Sequence, residues 1–321
     1  MNARVKTTIR RLALLAGLTL ALVSLTGSSA TAAPQTIDLC AVPGTATLTG
    51  SVTVPIWGFA LNPGSCAGAT AVLPGPMLDV HEGDAVTINV TNALPAGHTL
   101  AFEIAGIDFA PGPSEAAVGA TVTRSFTASA PGTYLYSSAG SAGRQQAMGL
   151  YGALIVRSNT TGQAYDTATS AYDAEATLVL GAVDPAFSAA PDTFDLTNYE
   201  AAYWLINGKA YPDTAPVAAG AGTRVLLRYL NGGFDNTSMA LLGMHQRVLA
   251  RDAILLGNPF DATVEIIPAG ATEDSIALVP SSAPPSANGF ALFNRNLHVT
   301  NAPCAPSTSC AAGGMLTFVQ P

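Results

Sequence analysis

A strict two-residue rhythm, recurring between glycine and proline breaks, limits the fold of this chain more than any other feature. In Ala85-Val86-Thr87-Ile88-Asn89-Val90-Thr91-Asn92 apolar and polar side chains alternate. One face of such a strand enters a core and the other meets water. Ser51 to Phe59, Met77 to Val80, Leu100 to Ile104, Thr121 to Ala128, Thr133 to Tyr136 and Gly152 to Val156 are further strand candidates. With 31 glycines and 22 prolines spread along the sequence, turns are frequent and long helices disfavoured. An all-β fold is predicted.

The rhythm pauses over Arg157 to Ala174, which is polar and rich in Thr, Ser, Gly and Asp. It resumes at Thr177-Leu178-Val179-Leu180 and runs on through Tyr203 to Ile206, Arg224 to Leu230, Arg247 to Ala250 and Thr263 to Ile267. Two domains are therefore expected, 33–160 and 177–321, joined by a linker over 161–176. Asp184 to Tyr199 reads as a surface excursion or short helix. The halves repeat each other in order: His81-Glu82-Gly83-Asp84-Ala85-Val86 followed by Asn92 corresponds to Gly220-Ala221-Gly222-Thr223-Arg224-Val225 followed by Asn231. That is the pattern of a duplicated β-sandwich.

Residues 1–32 read as a signal peptide. Arg4, Lys6, Arg10 and Arg11 precede an apolar run from Leu12 to Leu25, and Ala30-Thr31-Ala32 fits a small-x-small cleavage site. The mature chain is expected to begin near Ala33, in the periplasm or outside the cell, and Arg10-Arg11 leaves both export routes open. The apolar run falls short of the ~20 residues a membrane span needs, and no transmembrane span is expected in the mature chain. The whole chain has 13 basic and 21 acidic residues, and removing the signal's four basic residues leaves a net charge of −12. Such a surface repels phosphate backbones, which excludes nucleic acid as a partner. Cys40, Cys66, Cys304 and Cys310 fit two disulfides in an oxidising compartment. Three pairings are possible; the local one, Cys40–Cys66 with Cys304–Cys310, closes the shortest loops.

Leu73-Pro74-Gly75-Pro76-Met77-Leu78-Asp79-Val80-His81-Glu82-Gly83-Asp84-Ala85-Val86 resembles the first cupredoxin domain of multicopper oxidases. Pro131-Gly132-Thr133-Tyr134-Leu135-Tyr136 and Gln145 to Val156 do so too. Ile206-Asn207-Gly208-Lys209-Ala210-Tyr211-Pro212-Asp213, Arg247 to Asp252 and Gly313-Gly314-Met315-Leu316-Thr317-Phe318 resemble the family's other domain. The resemblance covers nearly the whole mature chain and implies two cupredoxin-like Greek-key β-sandwich domains. It also implies copper sites, and here the residues depart from the family. The His-x-His-Gly stretch reads Glu103-Ile104-Ala105-Gly106, and His-Ser-His reads Ser137-Ser138-Ala139. His-Pro-x-His-x-His-Gly reads Thr237-Ser238-Met239-Ala240-Leu241-Leu242-Gly243. The His-Cys-His block falls within Phe293 to Val299, which contains no cysteine. Blue copper needs a thiolate and two imidazoles. No cofactor is expected at Glu103, Ala105, Ser137, Ala139, Thr237, Ala240 and Leu242.

Two readings follow. The first is an exported, non-catalytic binding or scaffold protein, as copper-free relatives of this family are. Its partner would be a protein or cell-envelope component, docking on the loops Asp108 to Ala117 and Asp184 to Tyr199. The second is a copper-binding oxidoreductase with a remnant site of His245, His298, Met244 and Met315, beside Met239; against it, the methionines serve equally to fill core gaps. Family members of this size form homo-oligomers, often trimers. Glu103 is expected to pair with Arg144 or lie exposed. His81 and His98 are expected to be exposed. No Gly-x-Ser-x-Gly, phosphate-loop or His-Glu-x-x-His motif occurs.

Overall fold

A computed structural model describes residues 34–62, 64–301 and 312–321. The expected signal segment over 1–32, Cys304 and Cys310 lie outside the described residues. Nine strands form the first half: β1 Pro34–Leu48, β2 Val52–Leu61, β3 Leu78–His81, β4 Ala85–Asn92, β5 Leu100–Ile104, β6 Glu115–Ala116, β7 Thr121–Thr127, β8 Gly132–Ser138 and β9 Tyr151–Arg157. They make two sheets, β2-β1-β4-β7 and β3-β9-β8-β5-β6. Between the sheets lies a core that includes Val86, Ile88, Val90, Phe102, Tyr136 and Leu154. Cys40 and Cys66 are disulfide-bonded, 5.6 Å apart at Cα.

The second half holds β10 Ala174–Val183, β11 Tyr203–Ile206, β12 Val217–Ala218, β13 Arg224–Asn231, β14 Thr237–Leu241 and β15 Gln246–Arg251. After these come β16 Ile254–Ala262, β17 Val264–Ile267, β18 Thr272–Leu278, β19 Phe290–Asn294 and β20 Leu316–Gln320. One sheet runs β11-β10-β13-β18-β15-β16 and the other β12-β20-β19-β14-β17. Apart from the β15–β16 hairpin, the strand order repeats the first half's element by element. Strand β4 pairs in parallel with β1, and β13 with β10. The fold is all-β, two cupredoxin-like Greek-key sandwiches.

The duplication extends to single side chains. Buried Asn92 donates to the carbonyls of His98 (2.7 Å) and Ala116 (2.9 Å) and accepts from the Leu94 amide at 3.0 Å. Asn231, at the matching end of β13, donates to the carbonyls of Asp235 (2.8 Å) and Ile267 (2.9 Å) and accepts from Gly233 at 3.0 Å. Each asparagine closes the turn that carries its half from one sheet to the other, satisfying backbone groups that no ladder reaches.

The halves meet where β8 lies on β13 and β18. Thr133 donates to Asp274 at 2.6 Å, and Tyr165 donates to its other oxygen at 2.6 Å. Arg228 reaches both Asp274 and Thr133 and also binds Glu175, which Arg157 shares. Burial would raise the Glu175 carboxyl, but Arg228 and Arg157 outweigh it and hold it below its ordinary value. Tyr165 and Ala164 belong to the polar segment between β9 and β10, and they pack on Leu226, Leu249 and Ile276. That segment is thus held against the second half.

Candidate functional site

The positions where the resemblance implies copper ligands fall on matching strands of the two halves. Glu103 is the fourth residue of β5 and Ala240 the fourth of β14. Gly106 and Gly243 follow each at the same offset, with φ of 79° and 81°. Glu103 stands opposite Ser137 in β8, and Ala240 stands opposite Phe293 in β19. That register aligns Ser137-Ser138-Ala139 with Phe293-Asn294-Arg295, which places the second half's degenerate block.

What occupies these positions differs between the halves. Ser137 donates to Glu103 at 3.4 Å, while Glu103 itself is exposed. Arg144 is not the partner of Glu103. Its Nη1 donates to the carbonyls of Pro191 at 2.7 Å and Phe194 at 2.8 Å, because α1, Arg144–Ala147, projects toward the excursion after β10. Ala105 is exposed and borders a 380 Å³ cleft against Asp252 and Ala269–Thr272 of the other half. Ala139 is exposed as well. In the second half Ala240 is buried, Leu242 is exposed, and Thr237 is buried beside Asn231.

A second feature lies on that excursion. Asp184 caps α2, Pro185–Ala189, accepting from the amides of Ala186 at 2.8 Å and Phe187 at 3.3 Å and, through its other oxygen, from Glu200 at 3.0 Å. The expected short helix is present, although Phe187 is fully buried against Phe194 and Tyr199. This packing leaves an open cleft of 760 Å³ lined by Pro185, Ala186, Phe194, Ala201, Ala202 and Trp204, with Asn198 and Glu200 on its wall. The Trp204 ring stacks on His298, with centroids 4.1 Å apart and planes 11° apart.

A multicopper oxidase family profile matches residues 62–161. Laccase-7 of Oryza sativa subsp. japonica is 30% identical over 233 residues, 66% of this chain and 40% of the plant protein. The chain therefore spans less than half the length of that curated relative. A blue copper oxidase from Nitrosomonas europaea superposes with a TM-score of 0.74 at 21% identity, over 90% of this chain and 86% of that one. A copper nitrite reductase from the same organism gives 0.67 at 18% identity, over 90% and 94%. The chain is multicopper-oxidase-like.

In this multicopper-oxidase-like chain the ligand-equivalent positions do not fit copper: the side chains of Ala105, Ala139, Ala240, Leu242 and Phe293 offer no donor atom, Glu103, Ser137 and Thr237 offer only oxygen, and no thiolate stands among them. Among the described residues, no group of three or more His, Cys, Asp or Glu is arranged to hold a metal ion. Met239, Met244 and Met315 all lie in the second core, where Asn294 donates to the Met315 sulfur at 3.3 Å. His298 is tied to Met315 through the backbone at 2.9 Å, yet its ring turns to Trp204, and burial lowers its pKa. His245 is exposed. His81 is exposed as expected, but His98 is not. It is buried, its ring centroid 4.4 Å from that of Trp57, and its Nε2 lies 3.2 Å from Asp192 of the excursion. The loop after Asp108 is exposed and strapped by Arg124, which lies 4.1 Å over the Phe109 ring and reaches the Pro113 carbonyl at 3.3 Å.

Proposed function

We propose that this is an exported, non-catalytic multicopper-oxidase-like protein that binds a partner or ligand and carries neither type 1 nor trinuclear copper. One observation carries the reading. The strand positions that repeat between the halves, Glu103 with Ala105 and Ala240 with Leu242, hold side chains that pack, meet solvent or accept one hydroxyl hydrogen bond. A lost ligand retunes a copper site, whereas loss of the thiolate and of the paired imidazoles leaves neither the type 1 nor the trinuclear donor set. The excursion at Asp184 to Tyr199, with its cleft, is the proposed binding surface. Its backbone is fixed by Asp184, Arg144 and the Phe187 cluster, so the surface is preorganised. Export rests on the N-terminal segment. Among the described residues, no helix is long and apolar enough to cross a membrane.

The test is metal analysis of protein purified from copper-supplemented cells, read beside its visible spectrum. Less than stoichiometric copper and no blue band are expected. Stoichiometric copper would overturn the reading and favour a His298/Met315 remnant.

A further inference from the structure

We propose that the cleft beside Trp204 binds a small organic cation with an apolar body, such as an aryl- or alkylammonium. This deepens the binding reading above and rests on it. The cleft volume of 760 Å³ lies within the range of small-molecule sites. Its floor is apolar, built from Pro185, Ala186, Phe194, Ala201 and Ala202, and suits a hydrocarbon body.

Two features give the charge preference. Trp204 lines the cleft while its Nε1 is buried away from water, so ring carbons, not the N–H, meet a ligand. Indole is the strongest of the aromatic side chains in attracting a cation. The ring stacks on His298, and burial lowers that imidazole's pKa, which disfavours a charged form beside a bound cation. The second feature is Glu200. Its side chain is exposed at the cleft, and among the described residues no arginine, lysine or histidine forms an ion pair with it. Asp184, the other acid lining the cleft, is committed to three backbone amides. Glu200 is thus the carboxylate left to meet a ligand's charge. Among the described residues no basic side chain lines the cleft, so an anionic ligand would find no counter-charge from them.

The experiment is calorimetric titration of the full mature protein with benzyltrimethylammonium chloride, alongside neutral benzyl alcohol. Saturable binding of the cation is expected, with benzyl alcohol weaker by about tenfold. E200Q, a change at an exposed side chain, is expected to weaken cation binding by about fivefold. W204L should abolish it and W204F retain part of it. The chain's two tryptophans allow a second reading, in which the cation perturbs indole fluorescence in W57F but not in W204L. No saturable binding at millimolar cation would overturn the proposal. So would equal binding of benzyl alcohol, or unchanged affinity in both E200Q and W204L. A blue copper band with intact cation binding would end the copper-free reading and leave this one standing.

Discussion

Strands β4 and β13 occupy the same place in the two halves, and their outward rows have opposite fates. In the first half that row is Thr87, Asn89 and Thr91, paired across the ladder with Ser125, Thr123 and Thr121 through side-chain hydrogen bonds of 2.8 to 3.1 Å. In the second half the same register holds Leu226, Arg228 and Leu230 against Ile276, Asp274 and Thr272. The first row faces outward at the surface; the second is buried beneath β8 and Tyr165. One topology thus serves as a solvated face and as an inter-half seam. The difference is made by replacing threonines with aliphatics and one half-buried asparagine with an arginine whose carboxylate partners are all supplied. A further inward substitution follows the same register: buried Glu273 stands where the first core has Val122.

The largest expected effect is at the seam. D274A leaves Arg228 buried beside Glu175 alone and removes acceptors for Thr133 and Tyr165. A loss of roughly 3–5 kcal/mol is expected in urea unfolding. Next, N92A and N231A each strand three backbone groups, and each should cost about 2–3 kcal/mol. Unequal losses would show that the two turns are not energetic equivalents. The third effect is pH-dependent. Burial, with Glu265 nearby, raises Glu273 to about 7 despite Arg251. Between pH 4.5 and 7 the unfolded chain has released this proton and the folded chain still holds it, so rising pH favours unfolding. Stability should fall across that window by on the order of 2 kcal/mol, and E273Q should flatten the slope. The smallest effect is on the solvated face. N89A, which loses only exposed bonds to Asp38 and Thr123, should change stability by less than about 0.5 kcal/mol. A loss matching that of D274A would erase the distinction between the two rows.

At the positions where the resemblance implies copper ligands, side-chain identity is legible in the sequence: the side chains of Ala105, Ala240 and Leu242 carry no donor atom. What could not be read was direction. Arg144 lies close to Ser137-Ser138-Ala139 in sequence, yet α1 turns it to Pro191 and Phe194. His98 sits in what reads as a loop, but the excursion after β10 folds over it with Asp192. The cleft at Trp204 is assembled from Pro185 to Trp204, and a signal existed: Pro185, Phe187 and Phe194 are an unusual apolar load for a surface excursion.

The alternation in β4 and the near-continuous apolar run of β13 belong to the sequence by itself. Period two fixes which side chains share a face, and polarity fixes whether a face can be buried. The sequence likewise determined the all-β class and the duplication marked by Asn92 and Asn231. The tertiary structure decided which surface covers β13, that Asp274 would meet Thr133 from the other half, and that His298 would stack on Trp204 instead of joining His245. Those outcomes depend on contacts between residues far apart in the chain, and no local rhythm encodes them.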